Sequence, residues 1–128
     1  MNKNYYSLFF FCFFLWAGCS EDDTNTTGCE KDDFIGVWNM NEQCGVNDFQ
    51  YPLTVTELAS GIRLTNLGGL GVNAVVDATV DEASFTIAPQ LVQGVTLSGN
   101  GSLNAGCAQI TISWQGGPNG NCAGTGTK

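Results

Sequence analysis

The chain is short, acidic and almost free of basic side chains. Its 128 residues carry a formal net charge of −8, with 4 Lys and Arg, 12 Asp and Glu, and no His. Nucleic-acid phosphates attract clustered Lys and Arg, so this composition indicates no nucleic-acid partner. The lack of His removes the commonest general base and zinc ligand. We therefore expect no enzymatic activity, no catalytic residue, no metal site and no cofactor.

The first 18 residues have the composition of a secretory leader. Lys3 precedes an apolar run from Tyr5 to Trp16, and the small residues Ala17 and Gly18 follow. An apolar run of about 12 residues is typical of a signal peptide, whereas a membrane-spanning helix needs about 20. We therefore predict a signal peptide over residues 1–18.

Cys19 follows the leader directly, and the segment from Leu15 to Cys19 resembles the lipobox of bacterial lipoproteins. That resemblance implies cleavage before Cys19 and attachment of lipid, such as palmitate, to this residue. Cys19 would then anchor the protein in a membrane. The alternative is an ordinary signal peptide that is cleaved nearby and leaves Cys19 free.

The residues after Cys19 are acidic and polar. Ser20, Glu21, Asp22 and Asp23 resemble the export signal that directs Bacteroidetes lipoproteins to the outer face of the outer membrane. The implied location is the cell surface. The alternative is an anchor facing the periplasm, with the acids serving only as a solvated tether. The composition of residues 19–33 predicts a flexible tether, so the folded domain is expected over residues 34–128.

From residue 34 onward, apolar and polar residues alternate with a period of two, as in half-buried antiparallel strands. Turn residues interrupt this pattern, and Pro89 predicts a bulge or an edge. The connections are too short for crossover helices, so strands adjacent in sequence are expected to pair. We predict an all-β fold, an eight-stranded antiparallel up-and-down meander closed into a small barrel. The strands are expected at 34–41, 50–58, 61–67, 72–80, 84–88 with a possible extension to 92, 95–103, 108–115 and 121–127.

The alternation also predicts which side chains the barrel buries. An eight-stranded barrel has room for its own side chains or for one small ligand, and large inward aromatic residues favour a filled interior. Arg63 is expected to face solvent. The predicted inward set is Trp38, Leu53, Val55, Ile62, Leu64, Val72, Ala74, Val76, Phe85, Ile87, Leu97, Ile110, Ile112 and Trp114.

Four cysteines follow Cys19, and an oxidising compartment would join them in two disulfides. Three pairings are possible from the sequence alone. In the predicted meander, Cys29 and Cys107 lie at one end of the barrel, and Cys44 and Cys122 lie at the other. The remaining pairings would join opposite ends, about 23 Å apart for a seven-residue strand, whereas bridged Cα atoms lie within about 7 Å. We therefore predict Cys29–Cys107 and Cys44–Cys122, and the second bridge implies that the barrel closes.

Several short segments resemble a known group of proteins. Ile35-Gly36-Val37-Trp38 resembles the Gly-x-Trp motif that opens lipocalin-like barrels. The rest of the domain is similar to small Bacteroidetes (flavobacterial) outer-membrane lipoproteins of uncharacterised function. This similarity implies a small lipocalin-like β-barrel on the cell surface and no particular activity. The segments that carry it are Cys44-Gly45, Asn66-Leu67-Gly68-Gly69-Leu70-Gly71, Phe85-Thr86-Ile87-Ala88-Pro89-Gln90 and Cys122 to Thr127.

Two functions are compatible with these features. The first is a non-catalytic binding module that takes a small apolar or carbohydrate ligand at a barrel mouth near Trp38, Tyr51 or Trp114. The second is a protein-facing accessory lipoprotein, such as a protease or lysozyme inhibitor or a subunit of a surface complex. Aromatic residues clustered at one open end would favour the first, and an exposed apolar patch would favour the second. We expect a monomer held at the outer membrane by the lipid on Cys19.

Overall fold

The computed structural model describes residues 28–117 and 120–128. The predicted leader 1–18, Cys19 and the export segment from Ser20 to Asp23 lie outside the described residues. One short helix and a short 3₁₀ turn accompany eight strands in this part of the chain. The elements are α1 (Lys31–Phe34), β1 (Gly36–Cys44), β2 (Asn47–Leu58), β3 (Gly61–Thr65), the 3₁₀ turn (Leu67–Gly69), β4 (Val75–Asp81), β5 (Ser84–Val92), β6 (Val95–Leu103), β7 (Gln109–Gln115) and β8 (Asn121–Thr127).

The strands form a closed antiparallel barrel in which each strand pairs with the next. β1 also pairs with β8, from Asn39 opposite Thr127 to Cys44 opposite Cys122. The predicted all-β fold, an eight-stranded meander closed into a barrel, is confirmed. The predicted irregularity at Pro89 is confirmed as well, because the pairing of β5 with β6 shifts register between Ile87 and Gln90. Proline has no backbone N–H to donate to a neighbouring strand, which explains the shift.

Both predicted disulfides are present, one at each end of the barrel. Cys29–Cys107 has a Cα–Cα distance of 5.6 Å, and Cys44–Cys122 has one of 4.2 Å. The end that carries Cys29–Cys107 is called the helix end below, because α1 lies there. The end that carries Cys44–Cys122 is called the turn end, because the 3₁₀ turn lies there.

The predicted inward set is buried, with one exception. Val72 is 77% exposed, so its predicted place in the core is wrong. The reason is that β4 begins at Val75 rather than at residue 72, which leaves Val72 in the connection that precedes the strand. Arg63 faces solvent as expected, and it pairs with Asp77.

The folded part extends further toward the N-terminus than the predicted start at Phe34. Cys29 is 2% exposed, and α1 occupies residues predicted as tether and first strand. Phe34 is fully buried and packs edge to face on Phe85, with ring centroids 5.4 Å apart. The first strand accordingly begins at Gly36 and continues to Cys44. In the described part of the chain, no helix is long and apolar enough to cross a membrane.

Candidate functional site

The three aromatic residues predicted to line a ligand mouth are buried instead. Trp38, Tyr51 and Trp114 are 0%, 7% and 3% exposed. Trp38 lies at the helix end, where its Nε1 donates a hydrogen bond of 2.8 Å to the Phe34 carbonyl oxygen. Lys128 Nζ lies 4.6 Å from the centre of the Trp38 ring and donates to the Asp33 carbonyl oxygen. α1 and Lys128 therefore cover Trp38, and a ligand mouth near these aromatic residues stays a prediction.

Tyr51 and Trp114 meet at the turn end around a buried acid, Glu42, which is 2% exposed. The Tyr51 hydroxyl donates a hydrogen bond of 2.9 Å to Glu42 Oε2, and Trp114 Nε1 donates one of 2.8 Å to the same oxygen. The sulfur of Cys44, which belongs to the disulfide, lies 3.7 Å from Glu42 Oε1. One carboxyl group thus connects β1, β2 and β7 inside the barrel.

The surroundings of Glu42 shift the acidity of both titratable groups. Burial raises the pKa of Glu42, although the hydrogen bonds from Trp114 and Tyr51 act in the opposite direction. Burial and the neighbouring Glu42 carboxyl also raise the pKa of Tyr51. In both groups, burial makes the charged form less favourable than it is in water.

The 3₁₀ turn packs directly on this cluster. Gly68 has a φ of 69°, and a Cβ on it would lie 2.6 Å from Cζ2 of Trp114. A Cβ on Gly69 would lie 3.5 Å from Cβ of Tyr51. The turn covers Tyr51 and Trp114 at this close distance, which explains why both rings are buried.

Two groups of acidic and sulfur-bearing side chains have the spacing of metal ligands. The first joins Cys29 and Cys107 with Asp33, and the second joins Cys44 and Cys122 with Glu42. In both groups the cysteines form a disulfide, so neither sulfur is a thiolate that could bind a metal. Each cluster therefore offers a metal ion only one carboxylate ligand.

The outer face formed by β6, β7, β8 and β1 carries no charged side chain among the described residues. We call its outward-facing residues the uncharged wall. Apart from Val37 and Ala123, every member carries an amide or a hydroxyl. The members are Val37, Asn39, Asn41, Gln43, Thr96, Ser98, Asn100, Ser102, Gln109, Thr111, Ser113, Gln115, Asn121, Ala123, Thr125 and Thr127.

The strand registers place these side chains in rows that run across the wall. Thr111 lies opposite both Ser102 and Thr125, and Thr125 lies opposite Asn41. One row lower, Ser113 lies opposite both Asn100 and Ala123. Hydroxyl and amide groups therefore follow one another at the spacing of the strands, about 4.8 Å.

The outer face of β2 to β5 differs in both charge and bonding. Arg63 and Asp77 form an ion pair with an Nε–Oδ1 distance of 2.8 Å, and Gln90 bonds to the backbone N–H and the carbonyl oxygen of Asp77. On the uncharged wall, the described residues show one side-chain hydrogen bond, from Gln115 Nε2 to Ser98 Oγ at 3.2 Å. The remaining amides and hydroxyls of the wall are available to bind an external group.

Three adjoining surface depressions lie on and beside this wall. The first has a volume of about 550 Å³ and lies over β6, β7 and β8 near the turn end. The second, of about 440 Å³, lies over β7, β8 and β1 and reaches Asp48 of β2, and the third, of about 420 Å³, lies over β1 and β2. The first two share Gln43 and Ala123, and the second and third share Asn41.

Sequence reasoning missed Glu42 and the wall for different reasons. The first strand was predicted to end at residue 41, yet continuing its alternation through Trp38 and Met40 would have placed Glu42 inside. The wall was missed because polar outward residues are expected on any half-exposed strand. The available signal was that the outward positions of four strands lack charge in an acidic chain.

Comparisons with known proteins add no assignment to this geometry. No family model matches the chain, and neither a curated protein nor a solved structure matches it.

Proposed function

We propose that this protein is a lipid-anchored, non-catalytic module of the bacterial cell surface that binds a neutral carbohydrate on its uncharged wall. The single observation that carries the proposal is the segregation of amides and hydroxyls onto one outer face without charge, where the described residues show a single side-chain hydrogen bond. The anchoring part rests on the resemblance of Leu15 to Cys19 to a lipobox and of Ser20 to Asp23 to an export signal.

The chemistry of the wall is complementary to a sugar. Amide side chains offer both donors and acceptors, and each Ser or Thr hydroxyl can donate one hydrogen bond and accept others. A sugar presents many hydroxyls of the same dual character and no charge. A phosphate-rich ligand would instead need clustered cations, and an apolar ligand would need exposed apolar surface.

The barrel interior does not support the other ligand class, a small apolar molecule. Buried inward side chains occupy the interior, and the largest of those that are fully buried include Trp38, Phe34 and Phe85. The three depressions described above open on the outer surface instead. A ligand is therefore expected on the wall and not inside the barrel.

Affinity gel electrophoresis tests the proposal directly. The secreted domain, residues 20–128, is run through gels that contain starch, dextran, mannan, xylan or soluble β-glucan. Retardation is expected in at least one neutral polysaccharide, and little is expected in the anionic controls alginate and polygalacturonate. If no neutral polysaccharide retards the protein, the proposed carbohydrate function is wrong.

A matched pair of substitutions locates the binding face. Ala123→Arg places a long side chain where the first two depressions meet, and we expect it to weaken retardation at least tenfold. Ala88→Arg makes the same change at an exposed position of β5 on the opposite face, and we expect it to have no effect. Equal effects of the two substitutions would show that the wall is not the binding face.

A second candidate function, docking to a protein, is favoured by exposed apolar residues at the turn end. Val46, Val72 and Leu91 are 94%, 77% and 73% exposed, and each lies in or beside a connection at that end. An apolar surface of this kind is typical of protein contacts. This candidate would replace the first if neutral polysaccharides fail to bind and a Val46→Ser, Val72→Ser, Leu91→Ser protein loses a surface partner that the wild type retains.

A further inference from the structure

We propose that the carbohydrate is an extended segment of a neutral polysaccharide, which crosses β7, β8, β1 and β2 obliquely, and not a single sugar. This inference rests on the proposed function and assigns the form of its ligand. The observation behind it is the chain of three depressions that share lining residues.

The depressions are continuous in a way that suits one long ligand. Gln43 and Ala123 belong to both the first and the second depression, and Asn41 belongs to both the second and the third. All three lie open on the surface, so a ligand longer than one sugar ring can extend from one depression into the next.

The path across the barrel has a definite direction. Its first part lies near the turn end and is lined by Ser113 and Gln115 of β7. Its last part is lined by Asn39 of β1 and by Gln50 and Pro52 of β2. From β7 to β2 the path spans three strand spacings, about 14 Å, and from Gln43 to Asn39 it descends about 13 Å along β1. The oblique distance is about 19 Å, which exceeds the size of one sugar ring.

The lining chemistry is similar along this path. The first depression offers Ser113, Asn121 and Gln43, the second offers Asn41, Thr111 and Thr125, and the third offers Asn39 and Gln50. The first and third depressions contain no charged residue. The second is lined by one exposed acid, Asp48 of β2, and by the buried Glu42. Repeated amide and hydroxyl groups suit a ligand that repeats its own hydroxyls.

The experiment is a length series of oligosaccharides. The polysaccharide that retards the domain is hydrolysed to fragments of one to six sugar units, and each fragment is titrated against residues 20–128 by isothermal calorimetry. We expect the affinity to rise at least tenfold between two and five units. An affinity that is already complete with one or two units would overturn the extended ligand while leaving carbohydrate binding intact.

A substitution at the far end of the path tests its direction. Gln50→Ala removes an amide from the third depression, and we expect the affinity of this protein to stop rising at a shorter fragment than that of the wild type. Thr56→Ala truncates another exposed residue of β2 that lines none of the three depressions, so its length dependence should match the wild type. If Gln50→Ala weakens all fragments equally, or none, the oblique path is wrong. Failure of every neutral polysaccharide in the gels would instead remove the proposed function itself.

Discussion

Glu42 connects the buried polar side chains at the turn end of the barrel. Its carboxyl group accepts hydrogen bonds from Tyr51 and Trp114 and lies beside the Cys44–Cys122 disulfide. A buried charge is costly unless it is paired, and no described cation contacts this carboxyl group. A neutral Glu42 meets the same geometry, because Oε2 can accept both bonds while Oε1 carries the proton. The residue therefore acts as a polar connector inside an otherwise apolar core.

The raised pKa of Glu42 makes a prediction about stability and pH. A carboxyl group whose pKa is raised on folding contributes stability that is present at low pH and is lost as the pH rises through the folded-state pKa. Glu42→Gln keeps the size and the acceptor oxygen but cannot titrate. We expect the free energy of unfolding of the Glu42→Gln protein, relative to wild type, to increase as the pH rises from about 4 to about 8. Urea unfolding at several pH values measures this difference.

Asp77 provides a control, because its pKa is shifted in the opposite direction. The hydrogen bond from Arg63 lowers the pKa of Asp77, so its contribution is present at neutral pH and is lost on acidification. The Asp77→Asn protein should therefore be slightly less stable than wild type at neutral pH, with a difference that shrinks as the pH falls. A pH-independent difference between Glu42→Gln and wild type would contradict the role given to Glu42.

The 3₁₀ turn and α1 each cover one end of the barrel. The turn packs on Trp114 and Tyr51, and α1 places Phe34 against Phe85. Lys31 fastens the helix by donating to the Leu58 carbonyl oxygen and by pairing with Glu57. Both ends of the barrel are thereby covered, which is why we place the proposed ligand on the outer surface.

Substitution of Gly68 tests how tightly the turn is packed. Gly68→Ala combines a left-handed backbone, which costs a non-glycine residue about 1–2 kcal/mol, with overpacking against Trp114, which typically costs about 1–3 kcal/mol. Gly45 has a similar φ of 64°, but a Cβ added there would meet nothing within 4 Å, so Gly45→Ala should cost only the backbone part. Thermal unfolding of the two proteins measures the difference. Equal losses of stability in the two proteins would show that the turn moves easily and does not hold Trp114 in place.

The sequence was sufficient to predict the number, order and pairing of the strands. Alternation with a period of two marks an exposed and a buried face, and short connections leave antiparallel pairing as the simple solution. The ends of the elements were less predictable. Phe34 continues the apolar pattern of the first strand, yet the Cys29–Cys107 bridge and the contact with Phe85 hold it in a helix. Val72 fits the alternating sequence pattern of a strand, but the strand itself begins only at Val75.

Across the whole molecule, charge and bonding capacity are distributed unevenly. Ion pairs on the described surface involve Arg63 with Asp77 and Lys31 with Glu57, all in or beside α1 and β2 to β4. The uncharged wall lies on the other side, where the described amides and hydroxyls share only the bond from Gln115 to Ser98. The disulfides could be predicted because they depend only on which end of the barrel a residue occupies. The uncharged wall could not be predicted, because it is recognised only when the outward positions of β1 are placed beside those of β6 to β8, which are distant from β1 in sequence.

The predicted lipid anchor would be joined to the barrel at its helix end. Cys29, where the tether enters the folded domain, lies at that end. We expect wild-type protein to fractionate with the outer membrane and to incorporate labelled palmitate, and we expect Cys19→Ala to do neither. Cys12→Ala alters a cysteine within the predicted leader and should leave both properties unchanged, since that residue is removed on cleavage. Membrane retention and normal processing of the Cys19→Ala protein would show that it is not anchored through this residue.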